Sequence, residues 1–174
     1  MKPIVNMAIR YLSTIILMVF GLKIVYFLIS SLTFNLSYYS LFYYNPTLVS
    51  EASFIIGNHK LNFISACTAA SAYLLLALLT LTTDLNLKKS IKVFLLGSVL
   101  ILIANIIRID ILIIALIEFG SRTFNTLHLF FWKVLSTVYV VLLWIFLTKI
   151  FKIKNIPIYT DFKEIYKIYK ESKK

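Results

Sequence analysis

Four long runs of apolar residues alternate with shorter polar stretches along the chain, at about 8–32, 63–83, 93–117 and 128–150. Each is about as long as the roughly 20 residues that a helix needs to cross a bilayer. None shows the strict alternation of a membrane β-strand. Backbone groups in hydrocarbon must bond within their own segment, which leaves helices. The pattern predicts an all-α integral membrane protein with about four transmembrane helices. It forms a single domain, with a core over 55–150 and a basic tail over 151–174. The first run, of about 25 residues, exceeds the roughly 7–15 of a cleaved signal core and reads as a retained span.

Between the first two runs lies an outer stretch, 33–62, that holds Tyr38, Tyr39, Phe42, Tyr43 and Tyr44. Amphipathic rings of this kind sit at the headgroup level, so the stretch is expected along the outer surface with a short interfacial helix. Asn45-Pro46 marks a turn in it.

Composition strengthens the membrane assignment. Of the 174 residues, 60% are hydrophobic and 14% charged. A soluble domain of this size has too much surface to hide so much apolar area. Charge then sets the orientation. With the N-terminus inside, thirteen of the eighteen Lys and Arg flank the spans on the cytoplasmic side and two, Lys60 and Arg122, lie outside. That asymmetry places both termini in the cytoplasm. The net charge of +11 does not point to nucleic acid, because eight basic residues lie in 149–174, from the end of the last run onward. They suit a surface facing anionic lipid, and 158–174 has the spacing of an amphipathic helix. The interleaved aromatics belong to apolar runs and make no base-stacking platform.

Polar residues inside apolar runs are functional candidates, because charge in a bilayer is costly. Lys23 is as well explained by a structural pairing as by a function. Lys133 is near enough to the outer end of its run to snorkel. Arg108 is harder to dismiss: it keeps its charge, and Asp110, two residues on, points to another face. Asn105 lies one turn before Arg108 on the same face. The single cysteine, Cys67, excludes an intramolecular disulfide and a Cys-based zinc site. It stands among small residues, 65–72, which suit close helix packing. His128 opens the fourth run, and His59, in the outer stretch, is the competing histidine. Reversing the helices in turn brings Cys67, Arg108 and His128 to the outer leaflet. A thiolate can attack an acyl carbon, a histidine can take its proton, and an arginine can hold an oxyanion or a carboxylate.

Ala66-Cys67-Thr68-Ala69 opening a helix, Asn105-Ile106-Ile107-Arg108-Ile109 inside the next and His128 opening the last resemble the exosortase/archaeosortase family, in its small archaeal form. The resemblance covers about 55–149. It implies a membrane-embedded cysteine transpeptidase that uses no cofactor or metal. Its partner would be a C-terminal sorting signal of secreted proteins: a short motif, a transmembrane helix and a basic cluster. The cleaved protein would pass through a thioester to a lipid or surface acceptor. The resemblance assigns Cys67 as nucleophile, His128 as acid/base, Arg108 as oxyanion or thiol-orienting group, and Asn105 as support for Arg108. The chain departs from the family in having about four spans where many members have about eight. It also carries Thr68-Ala69 where Gly or Ser often follows the cysteine. The alternative is a non-enzymatic membrane module, a small transporter subunit or scaffold, using Arg108 and Asn105 as a polar contact.

Overall fold

The computed structural model describes residues 2–131, 133, 136–153, 166 and 170. The tail expected to form an amphipathic helix, 158–174, lies almost wholly outside the described residues. The chain is mostly helical: α1 (Lys2–Ser40), α2 (Ala70–Thr82), α3 (Leu87–Phe130, broken at Gly120) and α4 (Ser136–Ile150). Two helices, α1 and α3, are long and apolar enough to cross a membrane. By contrast α2, with 13 residues, is only about 20 Å long at 1.5 Å per residue.

The polar groups at the helix ends fix how the helices run. Arg10 on α1 pairs with Asp84, just after α2, at 2.8 Å. Thirty residues along α1, Ser40 donates to Asp110 on α3 at 2.8 Å. Thus α1 and α3 run in the same direction. Tyr139 on α4 donates to the Leu100 carbonyl at 2.8 Å, while Leu147 packs with Val93, so α4 runs back along α3. Asn86 caps α3 by accepting from the Lys89 backbone N–H at 2.9 Å.

Burial on α3 follows the helical repeat. Val93, Gly97, Ile101, Asn105 and Ile109 form a buried stripe, and Leu95, Val99, Ile103, Ile107 and Ile111 an exposed one. On α1, Ile16, Val19, Phe20, Ile24 and Phe27 are exposed as well. So continuous an apolar exterior is a site of association with an apolar medium or partner.

Two cores form along the bundle. Tyr73, Leu76, Val93, Ile101, Leu143 and Leu147 make one between α2, α3 and α4. Gly97 lets α3 close on it: a Cβ there would stand 2.6 Å from Leu76 Cδ2 and 3.0 Å from Leu147 Cδ1. Both leucines are fully buried. Gly97→Ala is therefore expected to overpack this core and cost about 1–3 kcal/mol. A thermal midpoint in detergent equal to or above that of the wild type would contradict this packing.

The second core corrects the all-α expectation. The stretch between the first two runs is not a surface loop with an interfacial helix. It continues α1 to Ser40, makes a single 3-10 turn (Phe42–Tyr44) and then forms a three-stranded antiparallel sheet, β1 (Thr47–Ser50), β2 (Ser53–Ile56) and β3 (His59–Asn62). Asn45 takes the left-handed conformation at φ 49° and its N–H bonds to Phe42 O, so the Asn45-Pro46 turn is present. The physical cause of the sheet is the hairpin Gly57-Asn58. Gly57 has φ 56° and a two-residue loop joins the Ile56–His59 pair, the form in which glycine leads a tight hairpin. Central strand β2 buries Phe54 and Ile56 against Phe34 of α1, Leu41 just after it, and Ile109 and Ile113 of α3.

Candidate functional site

The site forms on α3 between the two cores, where Asn105 and Arg108 follow Ile101 and precede Ile109. The backbone delivers each group differently from the sequence expectation. Cys67 does not begin a helix. It sits in a 3-10 turn, Ser65–Thr68, and α2 starts only at Ala70. The change of direction is made at Ala69, which takes the left-handed conformation at φ 51°, ψ 32°. For a residue with a Cβ this costs about 1–2 kcal/mol, and the surrounding bonds hold it. The Cys67 N–H bonds to Ile64 O at 2.9 Å and Ala72 N–H to Ala69 O at 2.9 Å. From α3, Asn105 Nδ2 donates to the Cys67 carbonyl at 2.8 Å. Asn105 thus secures the cysteine turn, where the resemblance had it supporting Arg108.

His128 likewise does not open the last helix. It lies in the last turn of the helical stretch after Gly120, and α4 begins at Ser136. In a continuous helix Arg108 and His128 would stand about 30 Å apart. Gly120, at φ 78° and ψ 179°, occupies backbone space open to glycine alone and breaks the helix. The segment beyond it folds back, so that Phe124 and His128 line the same cavity as Leu112 and Ile113. Phe124 braces the imidazole edge-on, with ring centroids 5.6 Å apart.

Cys67, Arg108 and His128 line one small cavity of about 90 Å³. All three are half-buried. Arg108 and Cys67 thus share one enclosed space, a cation and a thiol on the same walls. Asn62 and Phe63, at the end of β3, complete the wall. Neither was a candidate from sequence. The Gly57-Asn58 hairpin was the signal that could have placed them. His59 is exposed at the hairpin turn and outside this cavity. Lys23 and Lys133 are exposed and outside it too. Asp110 turns away to Ser40, as two-residue spacing on a helix requires. Among the described residues no group of His, Cys, Asp and Glu could hold a metal ion.

Gly120→Ala is expected to uncouple the histidine from the thiol. Nothing crowds a Cβ at this position, so any loss comes from backbone strain of about 1–3 kcal/mol. Alkylation of Cys67 should slow to the rate of a His128→Ala protein while helicity by circular dichroism stays near wild type. Wild-type alkylation in Gly120→Ala would mean that the break does not position His128.

The chain matches no protein-family model, no curated protein and no solved structure.

Proposed function

We propose that this protein is a membrane-embedded cysteine transpeptidase of the exosortase/archaeosortase kind. The observation that carries the proposal is the single cavity shared by Cys67, Arg108 and His128. In this reading the chain is multi-pass in the cell membrane, with α1, α2, α3 and α4 as the cores of four crossings and both termini cytoplasmic. The pairing of Arg10 with Asp84 supports it, since it joins the two stretches that the charge pattern assigns to the same side. The site then faces the extracytoplasmic side, under the β-sheet.

The chemistry follows from the three groups. His128 takes the Cys67 thiol proton, and the sulfur attacks the carbonyl carbon at the scissile bond of a C-terminal sorting signal. Arg108 stabilises the oxyanion. The C–N bond breaks, the amine leaves with the proton from His128, and a thioester remains on Cys67. A hydroxyl or amine of a lipid or surface acceptor then gives its proton to His128 and attacks the thioester. Collapse returns that proton to the sulfur, which restores the thiol.

The test is alkylation of the protein in nanodiscs and in sealed vesicles with a membrane-impermeant maleimide. Cys67 should label from the outside, and His128→Ala and Arg108→Ala should each slow labelling at least tenfold. A Cys67 that is inert, or that reacts alike in all three proteins, would remove the enzyme reading. Arg108 and Asn105 would then serve a transporter or scaffold module.

A further inference from the structure

The face of α1 turned away from the bundle carries one charge. Gly21 faces inward: a Cβ there would stand 2.6 Å from Leu74 Cδ1 on α2. Val25 and Ile29 pack against the core between α2, α3 and α4. Lys23 follows Gly21 by two residues, about 200° around the helix, and is exposed. Among the described residues no ion pair or hydrogen bond reaches it. Leu12, Ile16, Val19, Lys23, Tyr26 and Ser30 follow one another on that face at alternating spacings of four and three, and all but the half-buried Ser30 are exposed. Such spacing is the seam of a coiled coil, here with one charged position. Only 11% of the most apolar stretch of α1 is buried, against 33% for α3, so the bundle leaves room for another helix along it.

In the multi-pass reading Lys23 lies deep. It comes 12 residues after Tyr11 and 9 before Leu32 in the first apolar run, about 18 Å and 14 Å along the axis. Its four-carbon stem is too short to carry the ammonium over either distance. Helical side chains also lean toward the N-terminus, here away from the nearer surface. A lysine facing hydrocarbon at that depth opposes insertion, so what covers it must bring negative charge. Lipid headgroups lie beyond its reach. A second copy of this chain has no carboxylate at that level. Asp84 sits beside Arg10, Asp110 beside Ser40, and Glu51 in the β1–β2 turn. Glu118 lies past Asp110, and the other three acids are in the tail. Two parallel copies joined along this seam would also set lysine against lysine. We propose that this face of α1 docks one transmembrane helix of a different protein, with an Asp or Glu of that helix paired to Lys23. The proposal rests on the membrane reading of α1 and is independent of the chemistry at Cys67. The seam supplies apolar packing and the ion pair fixes the register.

The experiment uses the full chain in nanodiscs and synthetic transmembrane helices of Leu and Ala with uncharged polar flanks. The helices differ at one central position, which is Glu, Gln, Leu or Lys. Each carries dansyl at one end, and binding is read by energy transfer from the tryptophans of the protein. The Glu helix is expected to bind the wild type roughly 10- to 100-fold more tightly than the Leu helix, the worth of a hydrogen bond to a charged group. Lys23→Leu should abolish that preference, and Lys23→Glu should transfer it to the Lys helix. Lys23→Leu removes a charge from the span, so loss of insertion does not confuse the result. Equal binding of the Glu, Gln and Leu helices, no binding at all, or a preference that survives Lys23→Leu would overturn the proposal and leave this face to lipid. Depth is read separately. In Cys67→Ala protein, Lys23→Cys should resist a membrane-impermeant maleimide from both sides of sealed vesicles. Labelling from one side would remove the membrane depth of Lys23 and the proposal with it. A protected cysteine without a preference for the acidic helix would remove the docking alone.

Discussion

On the transpeptidase reading, Cys67→Ala is expected to lower processing of a protein that carries the sorting signal by at least about a thousandfold, because Cys67 is the only thiol in the chain and the thioester forms on it. Cys67→Ser is expected to be nearly as inactive. It keeps the geometry but replaces a thiol with a hydroxyl that ionises far less readily. Neither change should unfold the protein. The cysteine turn is secured through the backbone, by Asn105 Nδ2 on the Cys67 carbonyl and by the Cys67 N–H on Ile64 O. Those bonds do not depend on the sulfur. The check is pulse–chase processing of a reporter in cells, with hydroxylamine release of the thioester in the wild type. Reporter processing by folded Cys67→Ala would remove the nucleophile and with it the transpeptidase.

The helices were legible because hydrophobic runs of this length have few other outcomes. Which stripe of α3 is buried was not legible, because the exposed stripe Leu95, Val99, Ile103, Ile107 and Ile111 is as apolar as the buried one. The sheet was hidden by its aromatic surroundings. Tyr38 to Tyr44 look like an interfacial belt, and the four-residue strands Thr47–Ser50 and Ser53–Ile56 lack the apolar/polar alternation that marks a strand, which leaves the Gly57-Asn58 turn as the one local signal. The residue types of the site were legible as well, since a polar side chain in an apolar run is conspicuous. Their meeting was less so. Straight helices reversed in turn bring Cys67, Arg108 and His128 to one leaflet but not into one cavity. The remedy lies in two backbone positions with positive φ, Ala69 and Gly120. One sets Cys67 in a turn ahead of α2, and the other folds His128 back along α3. An alanine carries no sequence signal for a left-handed conformation, and a lone glycine near a helix end reads as an ordinary terminator.

Arg108→Leu is expected to lower the acyl-transfer rate by about 100- to 1000-fold, the usual loss on removing an oxyanion donor, while the protein becomes no less stable. The two halves belong together. An arginine within a spanning helix opposes insertion by about 2.5–3.5 kcal/mol on translocon scales, and leucine removes that cost. A purely structural arginine would show the reverse, with a lowered midpoint on removal and the activity following the amount of folded protein. Arg108→Lys separates charge from shape. It keeps a cation beside Cys67 but loses the planar fork of donors, so part of the thiolate stabilisation should survive and most of the oxyanion stabilisation should not. Alkylation of Cys67 in Arg108→Lys is accordingly expected closer to wild type than in Arg108→Leu, with acyl transfer depressed in both. The measurements are single-turnover transfer, thiol alkylation and thermal midpoint on the same three preparations. A midpoint that falls with activity in Arg108→Leu would make Arg108 a strut of the bundle, whereas activity lost at an unchanged or higher midpoint is the mark of a charge kept in the membrane for its chemistry.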